Sequence, residues 1–358
     1  MVDRPVLNVG FITFVAQRKG RTQVHLRSTE DPIHGKAWAL VLAAGEGTRL
    51  RTLTTTETGV AVPKQFCSLR GETSLLDETV SRASGICSNE RICAVVAADH
   101  QCWWTDPLAH LQPDNIIVQP RNRGTAHGIL LPLLHILVQD ANARVVILPS
   151  DHHFQDEATF QRSIQDGLDA MDRDKLGIAL LGIAPEYADP ELGYIVPGRC
   201  CDGSVFQVSQ FIEKPSAAAA RSIVNAGGLW NTFILIARAS ALLQLIERQR
   251  PGVVAQLQDA AQQPHNARGN NELSLLYERL DDFDFSRHVA QPAAAAVRVI
   301  RAPQCGWSDL GTPSRVAEVL VRPAPLRAPT RPRHVTGYLN LSEQLARFAP
   351  QFASQPRP

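Results

Sequence analysis

The most informative part of this 358-residue chain is the run Leu40-Val41-Leu42-Ala43-Ala44-Gly45-Glu46-Gly47-Thr48-Arg49-Leu50. Its apolar start followed by small residues is typical of a buried strand that ends in a tight turn. The backbone N–H groups of such a turn can converge on an anion, and the guanidinium of Arg49 follows closely. The dinucleotide-binding pattern would need Gly at Leu50, and the Gly-Lys-Ser/Thr phosphate-loop pattern is absent. An anion site and an ordinary strand exit therefore both stay open at this point.

Beyond this turn, short apolar runs alternate with longer amphipathic stretches. The apolar runs are mostly rich in Val and Ile, as buried parallel strands are, and they lie at Ala39–Leu42, Ile92–Ala97, Ile116–Val118, Val145–Leu148 and Ile178–Ile183. The amphipathic stretches predict helices at Leu75–Ala83, Ala126–Val138 and Ala158–Met171. This alternation predicts an α/β fold with a doubly wound, mixed, mostly parallel sheet and helices on both faces.

Past Gly193 the pattern changes and predicts a small β-rich part. Two strand-like runs, Tyr194–Val196 and Val205–Phe211, flank a turn signal at Cys201-Asp202-Gly203 and predict a hairpin. The elements predicted after this hairpin are a helix at Ala217–Asn225, a strand at Trp230–Ala237 and a helix at Ala239–Arg248.

The two ends of the chain differ in composition from the rest. Residues 1–36 are predicted to be an N-terminal extension that need not be ordered. Most of its basic residues follow the apolar patch Val9–Ala16, which is unlike a secretory signal, and its few acidic residues weaken a transit-peptide interpretation. Residues 37–320 form the predicted folded domain. Residues 321–358 are a Pro/Arg-rich tail, which cannot build a core of its own but is predicted to end in a short helix near Leu341–Phe348.

The overall composition is that of a globular protein without a strong net charge. Hydrophobic residues make up 44% and charged residues 20%, and 36 Lys and Arg against 35 Asp and Glu leave a net charge of +1. This balance creates no field that would attract nucleic acid or an anionic membrane. The apolar runs are also shorter than the about 18 residues that a membrane span needs. The seven cysteines show no zinc or redox spacing, which favours reduced thiols and a cytoplasmic protein.

A second basic motif, Pro63-Lys64-Gln65-Phe66, places a lysine directly after a rigid proline. Arg49 and Lys64 together can bracket a triphosphate, because a cation about 4 Å from a phosphate oxygen contributes about 4 kcal/mol at an effective dielectric of about 20. With this pair of motifs the chain resembles the sugar-1-phosphate nucleotidyltransferases, in particular the mannose-1-phosphate guanylyltransferases. The resemblance runs from Trp38 to Arg315 and implies a Rossmann-like nucleotidyltransferase fold, so that residues 37–320 become the nucleotidyltransferase domain.

The run Gln119–Ala126 resembles the family's base-recognition loop, which leads into a helix. Gly124 would allow the backbone to approach a flat purine, and Gln119 and Thr125 can exchange hydrogen bonds with the edge of the base. A helix N-cap at Asn122 or Thr125 would explain the same residues. The resemblance implies a nucleotide site made of Ala43, Ala44, Gly45, Gly47, Thr48, Arg49, Lys64, Gln119, Arg123, Gly124 and Thr125.

Two aspartates are candidate metal ligands. Asp151 follows the predicted strand Val145–Leu148 at its carboxyl end, where open α/β sheets bind ligands, although a helix cap is equally typical of such an aspartate. Asp309 belongs to Trp307-Ser308-Asp309-Leu310-Gly311-Thr312, which matches the family's Trp-x-Asp-x-Gly-Thr. The resemblance implies that both aspartates hold Mg²⁺. A zinc site at His152 and His153 is disfavoured, because adjacent side chains point in different directions and no third ligand has zinc spacing.

Three later segments resemble the family's sugar-contact strands: they are Leu192–Ile195, Phe211–Pro215 and Trp230–Thr232. Within them, a glutamate can accept hydrogen bonds from sugar hydroxyls and a lysine can neutralise the sugar phosphate, although a Glu-Lys pair elsewhere is usually solvated surface. The implied sugar-phosphate site consists of Gly193, Glu213, Lys214 and Asn231. Phe233 stands where many family members have Gly, so the backbone of the pocket is expected to differ there.

The resemblance implies Mg²⁺-assisted formation of GDP-mannose and pyrophosphate from GTP and mannose 1-phosphate, with Arg49 and Lys64 as catalytic residues. Another nucleotide or sugar phosphate, such as UTP or glucose 1-phosphate, and a non-catalytic sugar-nucleotide-binding regulatory paralogue stay open. No nucleic acid or membrane partner is expected, and a homo-oligomer is left open. Because the sequence ends soon after Thr312, neither isomerase nor acyltransferase activity is expected. The Thr-rich stretch Leu50–Val62 is predicted to form a flexible flap over the triphosphate.

Overall fold

The computed structural model describes residues 37–71, 73–261, 267–323 and 338–352, and nine strands of this part of the chain form one sheet. The strands are β1 (Ala37–Ala43), β2 (Ile92–Ala97), β3 (Ile116–Gln119), β4 (Arg144–Pro149), β5 (Ile178–Ile183), β6 (Gly193–Asp202), β7 (Val205–Glu213), β8 (Leu229–Arg238) and β9 (Arg298–Ala302). Their order across the sheet is β3-β2-β1-β4-β8-β5-β9-β7-β6, with an additional pairing between β8 and β6. All strands predicted from the sequence are present, and β9 was not predicted.

Eleven α-helices of the described residues surround the sheet. They are α1 (Arg51–Thr54), α2 (Leu75–Ser84), α3 (Gln101–Leu108), α4 (Thr125–Gln139), α5 (Glu157–Arg173), α6 (Ala217–Asn225), α7 (Ala239–Gln249), α8 (Val253–Ala261), α9 (Ala267–Arg279), α10 (Pro313–Val321) and α11 (Leu341–Phe352). The predicted helices therefore differ from the observed ones by at most a few terminal residues, apart from the longer α11. A π-helical turn spans Ser286–Ala290.

Strand β1 explains why helices cover both faces of the sheet. Trp38 and Leu40 lie in one buried core with residues of α4 and α7. Ala39 and Val41, which point to the opposite face, lie in a second core with residues of α2 and α5. Because both faces are buried, the strand is a continuous apolar run rather than an alternating one.

The expectation of a mixed, mostly parallel sheet is confirmed for β3, β2, β1 and β4 and for the pair β5–β9, but not for the remaining strand pairs. Among the described strands, the pairs β1–β2, β1–β4, β2–β3 and β5–β9 are parallel, and the other five pairs are antiparallel. Strand β8 is the main cause, because it runs antiparallel between β4 and β5. A strand buried on both faces has the same apolar sequence in either direction, so its direction could not be inferred.

The last described segment forms the helix predicted near the end of the tail and packs on the domain. The backbone of Ser68 pairs with the residues on either side of Asn340. Ser68 N donates to Leu339 O at 2.9 Å, and Ser68 O accepts from Leu341 N at 2.8 Å. Leu341 is fully buried. The apolar residues 339, 341 and 345 supply the contact surface that the preceding Pro/Arg-rich stretch lacks. That stretch, residues 324–337, and the predicted extension 1–36 lie outside the described residues.

The stretch predicted to be a flap has regular structure. It contains α1 and a turn closed by a bridge between Thr55 and Ala61, and α1 packs against α11. Within the described ranges, we find no helix whose length and apolar character would allow it to traverse a bilayer.

Candidate active site

The turn after β1 is fixed by the motif that follows it. The amide of Gln65 donates hydrogen bonds to Ala43 O at 3.0 Å and Gly45 O at 2.7 Å. Gly47 has a φ of +61°, and a Cβ there would lie 2.9 Å from both the backbone N and the Cβ of Lys64. Only glycine satisfies this conformation and this close approach. The two motifs quoted from the sequence are therefore one structural unit.

Lys64 is buried between the two predicted metal carboxylates. Its side chain is 5% exposed, and its Nζ lies 2.8 Å from Asp151 Oδ2. The same Nζ donates to the backbone carbonyl of Asp309 at 2.6 Å. In this arrangement the ammonium ties the segment after β4 to the segment after β9. A direct contact between Lys64 and a triphosphate remains a prediction.

A two-residue bridge also brings the segments of the two aspartates together. His153 N donates to Ser308 O and Ser308 N donates to His153 O, both at 2.9 Å. Next to this bridge, Trp307 Nε1 donates to His152 Nδ1 at 3.2 Å. Asp151 and Asp309 therefore both contact Lys64, although they are 158 positions apart in sequence.

Asp309 is held as an anion by neighbouring cations. Arg315 Nη1 donates to Asp309 Oδ1, and Arg49 Nη2 lies 3.6 Å from Asp309 Oδ2. Burial raises the pKa of Asp309, but the positive charges of Arg315 and Lys64 outweigh this effect and lower the pKa to about 2. Arg315 is itself buried and also donates from Nε to Asp189 Oδ2 at 3.0 Å. Asp309 is therefore ionised at neutral pH and fixed in one orientation.

The pKa values of Asp151 and His152 are both lowered, but for different reasons. Desolvation raises the pKa of Asp151, but the Lys64 ammonium outweighs it and leaves this pKa below its ordinary value. Burial lowers the pKa of His152 to about 4. His152 is therefore neutral at pH 7, which agrees with its ring nitrogen accepting a hydrogen bond from Trp307.

The donors in this cluster fit a magnesium ion better than zinc. No group of three or more His, Cys, Asp and Glu side chains among the described residues is arranged to hold a metal. Two carboxylates, Asp151 and Asp309, remain as oxygen donors. Mg²⁺ prefers oxygen ligands and usually keeps several waters, so one or two carboxylates suffice for it. Arg49, whose side chain is 45% exposed, is the cation of the cluster that solvent can reach.

The predicted base-recognition loop contains side chains in two different situations. Gln119 ends β3, is 1% exposed, and its Nε2 has no hydrogen-bond partner among the described residues. Arg123 instead donates to the carbonyls of Tyr277 at 2.6 Å and Glu278 at 2.9 Å. Gln119 therefore keeps an unused donor, whereas the Arg123 guanidinium is engaged by the end of α9.

The loop enters α4 through a conformation that requires glycine. Gly124 has a φ of +88° and a ψ of 163°, and a Cβ there would lie 2.6 Å from Phe283 O. Thr125 Oγ1 donates to Asp284 Oδ2 at 3.2 Å. The helix N-cap that the sequence left open at Thr125 is not observed, because Gly124 is the N-cap residue.

The predicted sugar-phosphate residues come together where β6, β7 and β8 meet. Gly193 pairs with Glu213 across the hairpin, and a Cβ at Gly193 would lie 2.6 Å from Glu213 Oε2 and 3.5 Å from Asn231 Cβ. Burial and the nearby Asp284 raise the pKa of Glu213. Lys214 has a φ of +50°. The sharp turn at Lys214 directs the chain out of β7 immediately after Glu213.

Phe233 has the backbone that glycine would favour. Its φ is +56°, and its N–H donates to Asn231 Oδ1 at 3.1 Å. This φ lies in the left-handed region that glycine adopts readily, and the expectation that the pocket backbone differs from that of relatives with Gly here stays a prediction.

Sequence reasoning missed two sets of residues around the site. The first is the pair Asp189 and Arg315, which are 126 positions apart in sequence and of which Arg315 holds the carboxylate of Asp309. The second is the segment Phe283–Gln291, which contacts both the base loop and Glu213. No local pattern marks Asp189. The alternation of acidic and aromatic residues at 281–285 was the available signal for the second set.

Comparisons with known proteins identify the family of this chain. A family model described as nucleotidyl transferase matches residues 38–322. A mannose-1-phosphate guanylyltransferase of Salmonella typhimurium is 30% identical over 300 residues, which are 79% of this chain and 59% of the relative. A mannose-1-phosphate guanylyltransferase of Escherichia coli is 28% identical over 299 residues, with 79% of this chain and 60% of the relative covered. This chain thus spans about 60% of the length of these relatives.

A solved structure extends the comparison to three dimensions. The crystal structure described as mannose-1-phosphate geranyltransferase from Thermus thermophilus is 25% identical, covers 80% of each chain and has a TM-score of 0.67. The family model covers well over half of the sequence and includes the glycine turn, Asp151 and Asp309. The chain belongs to the nucleotidyl transferase family.

Proposed function

We propose that this chain forms GDP-mannose and pyrophosphate from GTP and mannose 1-phosphate. The observation that carries the proposal is the convergence of the glycine turn, Lys64, Asp151 and Asp309 on one another at the carboxyl ends of β1 and β4. Open α/β sheets bind ligands at this edge. The names of the relatives support the same substrates.

In the proposed reaction, a phosphate oxygen of the sugar attacks the α-phosphorus of the nucleotide in line, and pyrophosphate leaves. Both reactants are anions, so the protein must offset their repulsion and align their oxygens. Arg49 is suited to meet the leaving pyrophosphate, since its guanidinium is half exposed beside Asp309. Lys64 positions both aspartates, because its buried ammonium contacts the Asp151 carboxylate and the Asp309 backbone carbonyl. No general base is needed, because a phosphate monoester is already largely a dianion near neutral pH.

Asp151 and Asp309 would hold Mg²⁺, the cofactor we propose. When bound, Mg²⁺ supplies charge neutralisation at the α-phosphate and orients the reacting oxygens. Arg315 and the backbone of Gly311 hold Asp309 Oδ1, so that Oδ2 is the oxygen directed toward Arg49 and the cleft.

The sugar phosphate would bind beside Gly193. The absence of a side chain at Gly193 allows the Glu213 carboxylate to lie against the backbone close to Asn231, and the carboxylate and the amide can read sugar hydroxyls. Lys214 would neutralise the phosphate. On the nucleotide side, the unused amide donor of Gln119 supports contact with a base edge, and guanine is the base we propose. We further propose that the enzyme acts in the cytoplasm.

A substrate screen tests this proposal. Each of four nucleoside triphosphates is combined with mannose 1-phosphate and with glucose 1-phosphate in the presence of Mg²⁺, and pyrophosphate release is measured. We expect the fastest release from GTP with mannose 1-phosphate, and none after EDTA. Fastest release from another pair would replace the substrates within the same reaction class. No release from any pair would favour a binding protein without catalysis.

The role of Lys214 has a matched control. Lys214→Ala should raise the KM for the sugar phosphate much more than the KM for the nucleotide. Lys175→Ala is the control, because Lys175 has nearly the same backbone, with a φ of +51° against +50°, but lies on the connection after α5. An effect of Lys214→Ala confined to the nucleotide, or an equal effect of both variants, would contradict the assignment.

A further inference from the structure

One short segment, Phe283–Gln291, contacts both the predicted base-recognition loop and the predicted sugar-phosphate pocket, and we call it the bridging segment. We infer that the bridging segment couples the two sites, so that a nucleotide bound at the loop strengthens the binding of sugar phosphate in the pocket, and the reverse. This inference rests on the proposed function. It gives a role to residues for which the sequence predicted none.

At the nucleotide end, the bridging segment is bonded to the loop through backbone and side chain. Phe283 N donates to Arg123 O at 3.0 Å, and Phe283 O accepts from Ala126 N at 2.8 Å. Asp284 Oδ2 accepts from Thr125 Oγ1 at 3.2 Å. Any ligand that fixes this loop therefore also fixes the first residues of the bridging segment.

At the sugar end, the bridging segment holds the residue predicted to read sugar hydroxyls. Gln291 Oε1 accepts from Glu213 N at 3.1 Å. The ring of Phe285 packs edge-on against Phe233, with centroids 6.0 Å apart. The segment thus contacts the strands on both sides of the pocket, β7 and β8.

Between its two ends the bridging segment is internally bonded. Asp284 N donates to His288 Nδ1 at 2.9 Å, and Asp284 Oδ1 accepts from Arg287 N at 2.8 Å. The following π-helical turn, Ser286–Ala290, includes the buried residues Val289 and Ala290. π-helical turns occur frequently at functional sites. These internal contacts join the two ends of the bridging segment.

The coupling follows from conformational entropy. A ligand that orders the loop also orders the segment and, through it, Glu213. The second ligand then has less conformational freedom to remove, which increases its affinity without any contact between the two ligands. The effect must be reciprocal, because each ligand changes the affinity of the other by the same factor.

Isothermal titration calorimetry on the whole chain tests the coupling. Mannose 1-phosphate is titrated in Mg²⁺ buffer, alone and with a saturating GTP analogue whose α- and β-phosphorus atoms are joined by methylene, so that no reaction occurs. We expect the analogue to tighten sugar-phosphate binding by at least about five-fold, and the reverse titration to give the same factor. Gln291→Ala and Asp284→Ala should each reduce this factor below about two-fold.

Gln165→Ala is the matched control for Gln291→Ala, because Gln165 lies on α5, away from both sites, and its side chain donates to Asp169 Oδ1 on the same helix at 2.9 Å. This control should keep the wild-type factor. Circular dichroism checks folding, and two variants at opposite ends of the segment keep the test usable if one fails to fold. A wild-type factor near one, or wild-type factors in both folded variants, would overturn the coupling while pyrophosphate release still supported the proposed function. Failure of both ligands to bind, together with no pyrophosphate release, would overturn both.

Discussion

The two halves of the sheet build their parts of the site in different ways. In the parallel half, β3, β2, β1 and β4, the site residues directly follow strands, as Ala43–Gly47 and Asp151 do. In the antiparallel half, Glu213 and Asn231 lie at strand positions, but their neighbours come from segments far away in sequence. The parallel half therefore positions its groups locally, whereas the antiparallel half and the Asp309 segment depend on long-range contacts.

The largest stability effect should come from one of these long-range contacts. Arg315→Ala leaves Asp309 and Asp189 without the buried guanidinium that both now contact. Breaking such a buried pair from one side typically costs about 3–5 kcal/mol of unfolding free energy. Urea denaturation followed by circular dichroism measures this loss. Arg173→Ala is the control, because it breaks an exposed pair with Asp202 and should cost less than about 1 kcal/mol. Equal losses would contradict the distinction between the two contacts.

A second prediction concerns Gly124, where the predicted base-recognition loop packs against Phe283. Gly124→Ala should cost about 3 kcal/mol of unfolding free energy, because its φ and ψ are almost restricted to glycine and the new Cβ would meet Phe283 O at 2.6 Å. Gly59→Ala is the comparison. Gly59 also has a positive φ, but a Cβ there meets nothing within 4 Å, so only strain of about 1–2 kcal/mol is expected. A cost at Gly59 as large as that at Gly124 would show that the contact with Phe283 is unimportant.

The same contrast explains how much could be predicted from the sequence. The positions of the glycine turn and Asp151 after buried strands could be predicted from local pattern, whereas their proposed roles rest on the family resemblance. The direction of the strands beyond β4 could not be predicted, because β8 is as apolar as a parallel strand would be. The role of Asp309 needed the family resemblance, and Asp189 with Arg315 could not be inferred at all, since their pairing depends on tertiary structure. The burial of Lys64 was also missed, because the Pro-Lys-Gln-Phe motif gives no information about Asp151 and Asp309, which are distant in sequence but contact the lysine.

The smallest effect should be at Phe233. Phe233→Gly relieves a left-handed backbone that costs a residue with a side chain about 1–2 kcal/mol. It also removes a partly buried ring that packs on Phe285, and partial burial of such a ring contributes a similar amount. The two terms oppose each other, so the unfolding free energy should change by less than about 1 kcal/mol. A loss above about 3 kcal/mol, as for a fully buried phenylalanine, would show that packing outweighs strain.

The most direct test of the account is whether Asp151 and Asp309 act together in one reaction. Pyrophosphate release from GTP and mannose 1-phosphate is measured for Asp151→Asn, Asp309→Asn and the surface control Asp166→Asn, with circular dichroism to confirm folding. We predict that each of the first two variants loses at least about 100-fold in kcat, because a metal ion supplies several kcal/mol of stabilisation to the transition state. The control should keep wild-type turnover. Wild-type turnover in a folded Asp151→Asn or Asp309→Asn variant would contradict the proposed metal site.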